Sequence, residues 1–447
     1  MALDRAALKT ELQGRGVDVL RVVFPDILGI TRSKDLLVSM LDRMSSPAFC
    51  QGVWVTTTGG DVLDGNEIIS LGLPDLITHV DESTLHDMPW EPGVAMVIAD
   101  TFNSDETVNE LSPRTVLRKV VERYQAHGLH PVVGPELEFY IAELDESGWH
   151  RTLNRTGRVY TTGPMVDPDG ILLHLLRQLD AFGIGVFAAN HEFSPSQYEI
   201  NLTHSAALDA ADRSFLLKTA IRDMVARTGR HATFLGKPWS DEGGSGFHLH
   251  LSVTDASGTN LMHDGGDGLS EVAGQLIAGI LKNAAAIAAF ANPTVNAFKR
   301  LGPDTLAPYR ANWGLDNRSA LVRVPPERGE GSRLEVRLGD GAANPYLITA
   351  AILAAGLDGI ENTLPLPAEA AGWAYENEAD PVLPMSLGEA LDALEADASL
   401  HEIMGAEIVE VFTLMKRDEL RRYTETVPDA STRDTTQWEL DEYLADY

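Results

Sequence analysis

Glu136 and Glu138 stand two residues apart in PVVGPELEFYIAEL (131–144), whose apolar, β-branched core reads as a buried strand. Side chains two apart share one face of a strand, so two carboxylates would lie side by side, repelling each other and stripped of water. Three more segments pose the same problem. NHEFSPSQYEINL (190–202) carries Glu192 and Glu199 on either side of a proline-containing turn, with Gln197 facing the same way as Glu199. GGSGFHLHLSV (243–253) puts His248, His250 and Ser252 on one face, and SRLEVRL spaces Arg333, Glu335 and Arg337 by two. Each alone has an ordinary explanation, such as a solvated edge strand or a hydrogen-bonded core histidine. Together, five acids and a histidine on apolar strands require countercharge, and the economical source is divalent metal. Carboxylates with one imidazole suit hard Mg²⁺ or Mn²⁺ and not a cysteine-rich zinc centre, and six ligands suffice for two ions.

Arginines complete the set: Arg300 in NAFKRL, Arg318 in DNRSA and Arg323 in LVRVP join Arg333 and Arg337. A lone arginine is usually a surface ion pair. Several in the region of a metal cluster are clamps for carboxylate and phosphate, which guanidinium binds bidentately. Two metals with arginine clamps are the parts of a phosphoryl-transfer site, where the protein positions and neutralises more than it reacts.

The elements that must hold these residues follow from periodicity. Residues 3–13 form an amphipathic helix, followed by two short strands in VDVLRVVFPDILGITRSKDL and a third at 93–99. Ser112-Pro113 starts a helix, with serine as N-cap and proline in the first turn, and the domain boundary falls near residue 110. Beyond it the pattern predicts strand 131–143, helix 170–183, strands 184–190 and 197–203, helix 206–229, strand 246–254 and one core helix over 269–291. The fold class is α+β, without a regular βαβ repeat, an internal repeat, a GxGxxG turn or a P-loop.

Composition sets outer limits. The 447 residues, 44% apolar and 23% charged, suit a large globular enzyme. Thirty-five Lys and Arg against 66 Asp and Glu give a net charge of −31, which repels nucleic acid and membrane lipid, serves solubility, and as an alternative favours a cationic substrate. One cysteine, Cys50, allows no internal disulfide and fits a reducing cytoplasm; no signal-peptide core or 18-residue apolar run points elsewhere.

The motifs G-P-E-L-E-F, E-x(4)-Q-x-E-I, K-P-x(7)-G-S-G-F-H-L-H-L-S, N-P-T-V-N-A-F-K-R-L, D-N-R-S-A, R-L-E-V-R and A-A-N-P-Y-L, in this order over roughly 15–445, resemble the glutamine synthetase family, type I. The resemblance implies an N-terminal β-grasp domain (1–110), a catalytic domain (111–447) with an antiparallel sheet forming the active site, and a homo-oligomer of two stacked hexamers. By motif, one metal would be held by Glu138, Glu192 and Glu199, the other by Glu136, His248 and Glu335. Gly244, Arg300 and Arg337 match positions that hold L-glutamate, Arg318 and Arg323 those that hold the transferred phosphate, and His250, Ser252 and Arg333 nucleotide contacts. The implied reaction is phosphorylation of the glutamate γ-carboxylate by ATP, followed by displacement of phosphate by an amine.

Departures bear on which amine. Ammonia-using members carry P-G-Y-E-A-P after K-R-L; here the stretch is KRLGPDTLAP, with Leu306 at the Glu position and Asp304 two residues off, expected to point elsewhere. The N-terminal F-D-G-S acid has FCQG (49–52) as its counterpart, and the Asn of N-G-S-G is Gly243. Loss of both acids removes the cage that binds ammonium and accepts its proton. A primary amine is then the expected acceptor, as in the γ-glutamylpolyamine and γ-glutamylethanolamide synthetases, in amine utilisation or detoxification. Tyr375 in GWAYENEAD lies outside the N-L-Y-D-L-P motif that some relatives adenylylate, and the lysine the family often places before R-x-E-V-R is not evident in ERGEGSRLE. Against this stand an ordinary ammonia-using enzyme, a non-catalytic family member, which the intact ligand and arginine set opposes, and a mononuclear hydrolase on His248 and His250, which leaves the glutamates unexplained.

Overall fold

Two sheets organise the chain, and the computed structural model describes residues 4–43, 46–153 and 159–447. The smaller sheet has β1 (Val19–Pro25), β2 (Thr31–Leu37), β3 (Ala48–Cys50), β4 (Asp75–Val80), β5 (His86–Asp87) and β6 (Val94–Asn103). Its order is β2-β1-β6-β4-β3 with β5 on β6, and only the β1·β6 pair is parallel. Alternation along β6 divides its two faces. Ala95, Val97 and Ala99 join Leu8 and Leu12 of the helix Arg5–Gly14, whereas Met96 and Ile98 face the main core.

The larger sheet runs β7 (His130–Asp145), β8 (Gly148–Arg151), β9 (Val186–His191), β10 (Gln197–Leu202), β11 (Ser205–Ala206), β12 (His231–Thr233), β13 (Gly246–Thr254), β14 (Trp313–Leu315), β15 (Val322–Val324) and β16 (Leu334–Asp340). Its path is β14-β15-β16-β13-β7-β10-β9, antiparallel except at β14·β15, and β8, β11 and β12 also pair with β7. Leu137, Phe139 and Ile141 of β7 are buried in the main core, on the face where helix Ala207–Ala226 packs. Glu136 and Glu138 therefore point the other way.

Ser112 caps helix Pro113–Ala126 as the sequence reading expects, its side chain accepting from Thr115 N. Two residues on, the buried Arg114 donates to Asp212 (2.9 and 2.8 Å), to Asp100 on β6 (2.6 Å) and to Asp81 (2.6 Å). Asp212 also accepts from Tyr346 OH at 2.7 Å, so one guanidinium ties the small sheet to helices of the large one.

One element differs from expectation. The single helix over 269–291 is two helices, Glu271–Lys282 and Ala284–Ala291, bent by 75°. Asn283 sits at the break, its amide donating to Gly279 O (2.9 Å) and Asp358 (3.0 Å), while Lys282 pairs with Asp358 at 2.7 Å. A side chain that satisfies backbone carbonyls outside the helical ladder permits the kink. Among the described residues no single helix is long and apolar enough to cross a membrane.

Candidate active site

The strand order β16-β13-β7-β10 brings four chemically unusual strands together as immediate neighbours. Register does the rest. His248 lies opposite Glu136, Glu199 opposite Glu138, and Glu335 opposite both His250 and Arg323. Glu192 follows directly on β9 and is not within a strand.

Two overlapping clusters result. Ligand atoms of Glu136, Glu199 and His248 lie within 4.8 Å of one another, as do those of Glu136, His250 and Glu335. Glu136 sits at their meeting point: Oε1 is 3.0 Å from His250 Nε2 and Oε2 is 3.8 Å from His248 Nδ1, itself 3.9 Å from Glu335. Glu138 accepts from Gly246 N (3.0 Å) and Gln197 Nε2 (3.2 Å), Glu192 from Asn190 (2.7 Å) and Glu199 from Asn201 (3.1 Å).

Electrostatics separate these acids. Burial and the neighbouring Glu192 push Glu138 up to about 7. Burial and Glu199 do the same to Glu192, about 7, and burial with Glu138 and Glu136 takes Glu199 to about 8. Burial also acts upward on Glu335 and Glu136, but Arg337 holds Glu335 at about 2, and His248 and His250 keep Glu136 below the ordinary carboxylate range. His248 is lowered to about 4 by burial and by Arg337. A group of carboxylates that must share protons near neutrality is one that a divalent oxygen-binding cation would neutralise, so this donor set fits Mg²⁺ or Mn²⁺.

Two cavities open on the cluster. The larger, ≈ 710 Å³, is lined by Glu138, Glu192, Glu199, Gly243, Gly244, His248, Arg300, Arg318 and Arg337, with Asp304 and Leu306 from the KRLGPDTLAP segment (299–308), the flap. The smaller, ≈ 430 Å³, is lined by His250, Ser252 and Arg333. Among the described residues, Glu136 alone lines both.

The arginines are not alike. Arg300 is buried against the carbonyls of Leu338 (2.5 Å) and Gly339 (2.7 Å). Arg337 pairs with Glu335 and donates to the carbonyls of Arg318 (3.1 Å) and Leu306 (3.2 Å), bracing the flap. Arg333 donates to His250 Nδ1 at 3.1 Å. Arg318 is exposed, and among the described residues its guanidinium makes no hydrogen bond or ion pair. Arg323, expected to hold phosphate, lines neither cavity: Glu335 (2.6 Å) and Asp316 (2.6 and 3.0 Å) occupy its donors.

Asp304 also departs from expectation. It lines the larger cavity together with Leu306, its carboxylate accepting from Trp373 Nε1 at 2.9 Å. Both residues have left-handed backbone, φ 62° and 59°, so strand alternation does not separate them. Tyr375 is buried against Trp373, ring centroids 5.4 Å apart, where its hydroxyl offers nothing to a modifying enzyme. Sequence reasoning assigned no role to Gln197, which bridges Glu138 and the Gly244 carbonyl (3.0 Å), although its place in Q-x-E was a signal. Tyr160 and Phe187, on the walls of the two cavities, lie outside every motif.

The glutamine synthetase catalytic-domain family matches residues 110–443. The chain belongs to the glutamine synthetase family. It is 33% identical to the glutamine synthetase of Halobacterium salinarum over 455 residues, covering 99% of this chain and 96% of that protein. The glutamine synthetase of Pyrococcus horikoshii is 34% identical over 448 residues, with 97% of each chain covered. Among solved structures, a GmaS–ADP complex aligns with a TM-score of 0.84 at 30% identity, covering 97% of this chain and 98% of that one. Glutamine synthetase relatives are ATP-dependent, metal-using ligases, and this chain is a ligase of that kind. Its two-sheet α+β architecture is the family's.

Proposed function

We propose that the protein is a glutamate–amine ligase, using ATP to activate the γ-carboxylate of L-glutamate and joining it to a primary amine. Leu306 carries the acceptor half of this reading. Its side chain lines the larger cavity at the flap position where the resemblance puts a glutamate in ammonia users. A carboxylate there would attract a small cation and accept its proton; leucine does neither and offers apolar surface to a carbon chain.

The larger cavity takes glutamate, with Arg300 and Arg337 toward its carboxylates and Gly244 leaving room for them. The smaller cavity takes ATP against His250, Ser252 and Arg333, and the ADP bound in the GmaS relative supports a nucleotide site in this fold. Glu136, common to both walls, marks where the terminal phosphoryl group crosses. Glu138, Glu192 and Glu199 would hold one divalent ion and Glu136, His248 and Glu335 the other. When bound, such ions neutralise and orient phosphate oxygens. A γ-carboxylate oxygen displaces ADP from the terminal phosphorus while Arg318, uncommitted at the cavity wall, balances the phosphate charge. The amine nitrogen then displaces phosphate from the γ-carbon, and the proton it sheds leaves on the departing phosphate. Arg323 acts through Glu335, as a positioning residue. The assembly of two stacked hexamers belongs to the same reading.

The names of the curated relatives favour a second acceptor, ammonia. Phosphate release from glutamate, ATP and Mg²⁺ with ammonia set against a panel of primary amines decides between them. At least one amine should exceed ammonia in kcat/KM; ammonia giving the highest value overturns the proposal.

A further inference from the structure

Two left-handed residues shape the tip of the flap. Asp304 (φ 62°) and Leu306 (φ 59°) hold a conformation that is costly for side chains other than glycine, leucine more than aspartate, and that persists where the surroundings over-determine it. Three holds do so here. Arg433 donates to the carbonyls of Phe298 (2.9 Å), Lys299 (3.1 Å) and Leu301 (2.5 Å) on the entering side, and Arg337 to that of Leu306 (3.2 Å). Trp373 Nε1 fixes the third point, the Asp304 carboxylate, at 2.9 Å. The other acids of the larger cavity are already engaged: Glu136, Glu138, Glu192 and Glu199 belong to the candidate metal cluster, and Glu242 pairs with Arg151. Among the described residues lining that cavity, Asp304 alone has a carboxylate outside the metal cluster with no cationic partner, its hydrogen bond coming from a neutral indole. An ionised carboxylate offers about four lone-pair sites, so one indole leaves room for an ammonium group.

We propose that Asp304, held by Trp373, binds the ammonium head of the acceptor amine and takes its first proton, while Leu306 lies along the carbon chain. The assignment deepens the amine-ligase reading and rests on it. A protonated amine has no lone pair with which to attack. Transfer of one N–H proton to the Asp304 carboxylate frees the pair, and the exposed carboxyl returns that proton to solvent. The neutral nitrogen then bonds to the γ-carbon, the bond from that carbon to the phosphate oxygen breaks, and the nitrogen's second proton leaves on the phosphate. Trp373 acts through Asp304, as a positioning residue. The titratable groups around Asp304 are Tyr375, whose ring lies against Trp373, and in the same cavity Lys237, Arg300, Arg318, Arg337 and the acids of the metal cluster, so its own titration is read as the difference between wild type and variant.

The test is steady-state phosphate release by the full chain from glutamate, ATP and Mg²⁺, with ethanolamine, putrescine and ammonia set against hydroxylamine, which is largely uncharged at pH 7 and needs no base. Asp304→Asn should lower kcat/KM for the best cationic acceptor about 100-fold or more and leave hydroxylamine within about threefold. With that acceptor the variant's kcat/KM should climb about tenfold per pH unit toward the acceptor's own pKa, over a range in which the wild type is flat. Trp373→Phe keeps the ring beside Tyr375 but loses the donor, and should lower kcat/KM for the same acceptor about tenfold with hydroxylamine unaffected. Asp304 is exposed, so the thermal midpoint of Asp304→Asn should not move. Equal losses with hydroxylamine and the cationic acceptor, or no loss with either, overturn the assignment. Ammonia as the best acceptor overturns the primary-amine reading alone, because Asp304→Asn must then still separate ammonium from hydroxylamine.

Discussion

Gly244→Ala adds one methyl group at the point where backbone approaches the buried Arg300. The new Cβ would lie 2.3 Å from Arg300 Cγ, 2.8 Å from Arg300 Cδ and 2.8 Å from Gly236 O. Ordinary contact begins near 3.4 Å, so the overlap exceeds an ångström. Neither neighbour yields easily. The Arg300 stem is anchored by its guanidinium on the carbonyls of Leu338 and Gly339, and Gly236 O accepts from Ser245 N at 2.7 Å. Gly244 is not among the positive-φ glycines, so alanine suits its backbone and the effect is steric. If Arg300 holds the substrate carboxylate as proposed, displacing it removes a charge-assisted hydrogen bond worth about 1.5–3 kcal/mol, or roughly 10- to 150-fold in the KM for glutamate. The KM for ATP should stay within about twofold, because Arg300 does not line the smaller cavity. Steady-state phosphate release with each substrate varied in turn measures both. Gly243→Ala is the control: its Cβ would meet Ser194 Oγ at 3.1 Å and Gln197 Oε1 at 3.5 Å, side-chain atoms that can give way. A Gly244→Ala protein with wild-type KM for glutamate refutes the assignment of Arg300 to that substrate.

Two predictions concern stability. Arg114→Met leaves the buried Asp212 and its neighbour Asp81 without their guanidinium, Asp100 keeping Arg118 at 2.8 Å, and should cost about 3–5 kcal/mol, read as a lower thermal midpoint; a midpoint unchanged within a degree contradicts the clamp. Lys218 is buried on the carbonyls of Gly341 (2.9 Å) and Ala343 (3.2 Å), and burial pushes its amine down from 10.5 to about 7. Between those values the unfolded chain binds more protons than the folded one, so this residue's contribution rises with pH from about 7 to 10.5 and is lost as pH falls through 7. Lys218→Met should flatten that rise in thermal midpoint against pH; an identical slope in both proteins refutes it.

Much of the candidate site could be read along the chain because its ligands sit on strands, where alternation is a local property. Glu136 and Glu138, His248 and His250, and Arg333, Glu335 and Arg337 each share a face whatever their strands pair with. That these strands are neighbours, with His248 opposite Glu136 and Glu199 opposite Glu138, is settled by long-range pairing. The 269–291 segment shows the limit in a helix: its apolar pattern continues through Asn283, but Asp358, 75 residues away, completes the network that stabilises the kink.

What the sequence determined by itself was the inventory: an acidic α+β ligase of the glutamine synthetase family, with the acids, histidines and arginines of its site spaced for one face and a leucine where the flap acid would be. Tertiary structure decided how that inventory is spent. It committed Arg323 to Glu335 and Asp316 while leaving Arg318 without a hydrogen bond or ion pair among the described residues, turned Asp304 into the cavity beside Leu306, and set Glu136 on the walls of both chambers. It also raised Phe187 on a bulge that no local pattern encodes. Spacing is written in covalent geometry, whereas the partner of a charge and the aim of a bulged side chain depend on which distant residues the fold brings within a few ångströms.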